Sequence, residues 1–148
     1  MNTTRAPHSG FRNFAAVLAG FFSVAVLSLL TDVVLHAAGF FPPWGQPVSD
    51  FPLLVATSYR TAYTVLGGYI TARLASDRPM RFVLILGLIG LFFAALGAAA
   101  TWNRDPAFGP RWYPLALVAV ALPATWLGGR LARSPGSTDE SRKAYTGQ

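Results

Sequence analysis

The sequence predicts an all-α fold, a transmembrane four-helix bundle, and three observations carry that prediction. Of 148 residues, 53% are hydrophobic and only 12% charged, against the roughly 25% charged that is usual in soluble domains. The apolar residues gather into four runs, at about 14–38, 53–74, 82–101 and 112–131, each near the roughly 20 residues a helix needs to cross a bilayer. Between the runs stand prolines, arginines and aromatic residues, the punctuation of membrane loops and interfaces. The length allows one domain. With no cysteine, disulfides, thiolate nucleophiles and Cys-ligated metal centres are excluded.

Residues 1–13 are polar and read as a cytoplasmic N-terminal segment. The first run is too long for a signal-peptide core of about 7–15 residues, so it is expected to be a retained first span. Near its far end it carries Ser28, Thr31, Asp32 and His36. Residues 39–52 follow, where Pro42, Pro43, Pro47 and Pro52 discourage helix and Phe40, Phe41, Trp44 and Phe51 suit a membrane interface. The second run holds an arginine at membrane depth, and at helical period Thr57, Arg60, Thr64, Gly67 and Thr71 share a face. A short basic turn, 75–81, leads to the third run, whose Gly87, Gly90, Ala94, Gly97 and Ala98 read as a close-packing stripe. Residues 102–111 form a second Pro-containing aromatic loop. The fourth run contains Pro123, which a membrane helix tolerates. Residues 134–148 read as a disordered cytoplasmic tail.

Four spans place both termini on one side. Arg5, Arg12, Arg73, Arg78, Arg81, Arg130, Arg133, Arg142 and Lys143 fall on that side, and Arg60, Arg104 and Arg111 elsewhere. Nine against three predicts cytoplasmic termini, with both aromatic loops outside. The same clustering accounts for the net charge of +6 without a nucleic-acid partner. The second run ends Leu66-Gly67-Gly68 and the fourth Leu127-Gly128-Gly129, each followed by Arg-Leu-Ala within a few residues. A duplicated helical hairpin and two independent occurrences of a common membrane tripeptide both stay open.

A buried cation needs a partner or a wet cavity. Asp32 and Arg60 lie at similar depth on helices joined by one loop, which makes them the natural ion pair. With His36, Tyr59 and Tyr63 they form the candidate binding set, a polar pocket facing outward; helix-to-helix adhesion is the plainer reading of the same residues. Asp32 and His36, one turn apart, resemble two metal ligands, but a site needs more. No phosphate loop, serine elbow or metalloprotease motif occurs, so no catalytic residue, metal or cofactor is expected.

The segments Thr31-Asp32-Val33-Val34-Leu35-His36, Phe41-Pro42-Pro43-Trp44-Gly45-Gln46-Pro47, Tyr59-Arg60 through Gly68-Tyr69, and Thr101-Trp102-Asn103 with Phe108-Gly109-Pro110 resemble a family of small bacterial four-helix integral membrane proteins. The resemblance covers about residues 14–133 and implies the fold, with no assigned activity or site to carry over. The leading expectation is a structural or accessory subunit in contact with the lipid bilayer and with a homo-oligomer or larger membrane complex. The alternative is a small transporter or a ligand- or proton-binding protein using the outward pocket.

Overall fold

The computed structural model describes residues 8–43, 45–103 and 109–133. The expected tail, 134–148, lies outside the described residues, as do residues 1–7, Trp44 and 104–108. Four α-helices follow in order: α1 His8–Ala37, α2 Asp50–Leu74, α3 Pro79–Thr101 and α4 Trp112–Leu131. The protein is an all-α bundle. Three helices start earlier than the apolar runs do. In α2, Pro52 stands in the first turn, and α3 opens on Pro79 itself; there the missing N–H has no helical partner to lose, so proline starts a helix that it would break further along. α4 continues through Pro123, which lies on its exposed face.

α1, α3 and α4 are long and apolar enough to cross a membrane. α1 exposes Phe22, Val26, Leu29, Leu30, Val33 and Val34, a continuous apolar surface that water would penalise and hydrocarbon accepts. The chain is a membrane protein. The hydropathy pattern predicts four spans, but α2 does not meet the same measure of apolarity as the other three helices, because it carries Arg60 and a ladder of hydroxyls. Its position offsets its polarity: α2 packs on α1, on α3 and, most extensively, on α4, whereas α1 and α4 are not neighbours. Thr57, Ser58, Thr61 and Thr64 each donate to the carbonyl four residues earlier, at 2.7 to 2.9 Å. Their hydroxyls are thereby satisfied within the helix itself.

Glycine makes that enclosure possible. A Cβ at Gly68 would lie 2.1 Å from the Thr125 carbonyl oxygen, and one at Gly128 would lie 1.9 Å from that of Val65. The contact is reciprocal, each glycine resting on the residue three before the other. The two Leu-Gly-Gly segments therefore meet at the α2–α4 crossing, backbone on backbone. The third helix departs from its expected role. Gly87 does pack, 2.9 Å from Leu122 Cδ2 measured from its would-be Cβ, but a Cβ at Gly90 or Gly97 meets nothing within 4 Å. Only part of the small-residue stripe is a packing face.

The ends are pinned separately. At the arginine-rich end, Arg12 Nε donates to the Leu74 carbonyl at 3.1 Å and the Ser76 N–H donates to Asn13 Oδ1 at 2.8 Å. At the other end, Trp112 Nε1 donates to Asp50 Oδ1 at 2.8 Å, joining the starts of α4 and α2.

Gly68→Ala and Gly128→Ala are expected to lower stability in detergent by about 1–3 kcal/mol each, the usual consequence of overpacking. Gly90→Ala is expected to be neutral or to stabilise by up to about 1 kcal/mol, since its site is open and Ala is the better helix former. Equal melting of the three variants would contradict the close α2–α4 crossing.

Candidate functional site

The candidate residues lie along the α1–α2 seam. On α2, one turn presents Tyr59, Arg60 and Tyr63; on α1, Thr31 and Asp32 face them. Arg60 Nη2 donates to Asp32 Oδ2, and the Tyr59 hydroxyl donates to Asp32 Oδ1. Both carboxylate oxygens are thus held. Thr31 Oγ1 donates to the Leu27 carbonyl at 2.8 Å, so in its 2.9 Å contact with Tyr63 the tyrosine hydroxyl is the donor. The Tyr59 and Tyr63 rings stand 5.8 Å apart. Arg60 lies ten residues into α2, about 15 Å along its axis. Side-chain exposure is 34% for Arg60 and 17% for Asp32, and Arg60 Nε is buried without a hydrogen-bond partner among the described residues.

The expected ion pair is therefore present, and it includes Tyr59. His36 sits apart. Its Nδ1–H donates to the Asp32 backbone carbonyl at 2.8 Å, and its ring rests 5.1 Å from that of Phe41. Among the described residues no three His, Asp or Glu side chains come together.

Asp32 and Arg60 also close one end of a cavity of about 590 Å³, within the roughly 300–1,000 Å³ of small-molecule sites. Its walls run along α1 from Phe21 to Asp32, along α3 from Leu86 to Thr101, and along α4 from Tyr113 to Thr125. The eleven steps from Phe21 to Asp32 along α1 make it about 16.5 Å long. It lies where α1 and α3 meet over few residues, bridged by the Phe21 and Phe93 rings at 5.7 Å. Gly90 and Gly97 line it, which is why nothing meets their would-be side chains. Of the five sequence-derived candidates, Asp32 and Arg60 line the cavity; His36, Tyr59 and Tyr63 do not.

Sequence reasoning missed Tyr113 and Thr101, which join the polar end, and Gly90 and Gly97, whose open faces form the wall. Tyr113 carried a signal, an amphipathic ring at the start of a span. The α3 glycines carried none, because a stripe of small residues reads alike whether a helix or a void lies opposite. Comparison with known protein families, curated proteins and solved structures gives no match.

Removing either charge strands the other. Arg60→Ala and Asp32→Ala are each expected to destabilise the protein by an amount between the about 1 kcal/mol of exposed pairs and the about 3–5 kcal/mol of buried ones. The double variant should lose less than the sum of the two. Denaturant titration in detergent measures the cycle, and strict additivity would show that the residues do not interact.

Proposed function

We propose that this protein binds a membrane amphiphile whose polar head is uncharged and whose hydrocarbon body lies between α1, α3 and α4. The observation that carries this reading is one elongated apolar cavity ending on a paired Arg60 and Asp32. Charge selects the head. An anion at Arg60 has Asp32 beside it, and a cation at Asp32 meets a carboxylate already occupied by Arg60 and Tyr59. A neutral hydrogen-bonding group, such as an ester or quinone carbonyl or a hydroxyl, approaches the net-neutral pair without repulsion from either member. Tyr113 and Thr101 add hydroxyls at the same end.

This reading favours the ligand-binding alternative over an accessory subunit, and it places the pocket within the bundle instead of on an outward face. A proton relay has less support, because His36 does not line the cavity.

Gly90→Leu and Gly97→Leu test it directly, since each adds a side chain to the cavity wall at a position where a Cβ meets nothing within 4 Å. Protein purified in mild detergent and measured by native mass spectrometry is expected to carry one amphiphile per chain. Both variants should melt like the parent or slightly above it and lose most of that ligand. Retention of the ligand in both would overturn the reading; so would its absence from the parent together with a stoichiometric protein partner, the signature of an accessory subunit.

We also propose that the end bearing Arg12, Arg73, Arg78, Arg81, Arg130 and Arg133 faces the cytoplasm of a bacterial inner membrane, as the charge bias supports. A reporter active only in the periplasm is expected to be active when inserted near Gln46 and silent after Gln148. The reverse pattern would invert the orientation.

A further inference from the structure

A second cavity, of about 720 Å³, lies at the arginine-rich end between the start of α1, the 75–78 turn and the first turns of α3. Asn13, Ser76, Asp77, Arg78, Arg81 and Phe82 are among its lining residues. Its buried polar group is Asn13, whereas Ser76, Asp77, Arg78 and Arg81 are exposed. Asn13 is 5% exposed, and its Oδ1 takes the Ser76 N–H, so the amide fixes the turn and keeps its own N–H donors for other use. Arg78 holds φ at +46°, the left-handed region, and among the described residues it is the non-glycine that does so. That conformation is unfavourable for a residue with a Cβ, and glycine would adopt it freely; the chain instead places an arginine there.

Arg78 and Arg81 have no side-chain hydrogen-bond or ion-pair partner among the described residues. Asp77 is the one carboxylate among the described lining residues, which leaves that lining net positive. Guanidinium forks match the oxygens of a phosphate, and this cavity is lined by two of them. On the α3 side the wall continues into Phe82 and Ile85, and Ile85 is 43% exposed. A phosphate seated on the arginines would thus have an apolar surface leading away from it along a helix apolar enough to cross the membrane.

We propose that this cavity binds the phosphate head of an anionic phospholipid from the adjacent leaflet, with an acyl chain lying along Phe82 and Ile85. Basic pockets between membrane helices suit such heads, each arginine adding about 1 kcal/mol at the surface, or roughly fivefold in affinity. The site is independent of the Arg60 and Asp32 cavity and stands whether or not that cavity holds an amphiphile.

The test uses the full chain in mild detergent, titrated with phosphatidylglycerol, phosphatidylcholine or inorganic phosphate, with binding read by native mass spectrometry and by the melting temperature. Phosphatidylglycerol is expected to bind roughly 25-fold more tightly than phosphatidylcholine, from the two arginines together, and inorganic phosphate alone to stabilise little. Arg78→Gln with Arg81→Gln should abolish the preference. Arg78→Gly, which relieves the positive φ, should fold at least as well as the parent and lose about fivefold of it. Arg130→Gln with Arg133→Gln removes the same charge from the same end but outside the cavity, and should leave the preference within about twofold, less than one arginine's share. Equal binding of the two lipids would overturn the proposal, and so would a preference that survives loss of Arg78 and Arg81. Equal loss from the Arg130 and Arg133 variant would reduce the effect to diffuse surface charge, and stabilisation by phosphate alone equal to that by the lipid would make the ligand a free anion; either result overturns the lipid assignment.

Discussion

An arginine about 15 Å inside a helix that sits among membrane spans needs a partner or a wet cavity within reach of its side chain, and here the partner it finds organises the bundle. Arg60 meets Asp32 on α1, and that contact fixes the rotation of α2 about its axis and its height against α1. Tyr59 and Tyr63, on the same turn, then fall on Asp32 and Thr31. The pair need not contribute a large net stability, since both charges forgo much of their hydration. Its effect is on register, because any slip along the helix separates them.

Enclosing the polar helix has a geometric requirement as well. α2 needs neighbours on several sides, and Gly68 against Thr125 and Gly128 against Val65 bring α4 to backbone contact. The back-bonded hydroxyls at Thr57, Ser58, Thr61 and Thr64 lessen what those neighbours must satisfy. Drawing α4 onto α2 has a consequence on the opposite side of the bundle. α1 does not reach α4 and meets α3 over few residues, and the volume left between them is the cavity that ends on Arg60 and Asp32. The close α2–α4 crossing and the apolar cavity are thus two results of one arrangement.

The two ends of the bundle differ in chemistry. At one end Trp112 bonds to Asp50, and Phe40 and Phe51 stand close together, with aromatic rings at the level where amphipathic side chains favour the interface. At the other, arginines predominate and some use neighbouring rings or carbonyls: Arg130 lies 4.1 Å from the Trp126 ring centroid, Arg73 5.5 Å from that of Tyr69, and Arg12 bonds to Leu74. Arg78 and Arg81 differ from these in lining a cavity with no side-chain partner.

The helices and the pairing of Asp32 with Arg60 were legible in the sequence, because hydropathy sets which segments suit a bilayer and an isolated membrane charge requires a counter-charge at its own depth. Helix starts at Asp50 and Pro79 were less legible, since proline discourages helix in general but not in a first turn. Tertiary structure alone decided that His36 turns to its own helix and Phe41, that α2 lies among α1, α3 and α4, and that Gly87 packs while Gly90 and Gly97 face a void. The physical reason is that periodicity assigns a residue to a face of its helix. What stands opposite that face depends on how closely other helices approach, and here the backbone contact of Gly68 and Gly128 sets that approach from a distance in sequence that no local pattern spans.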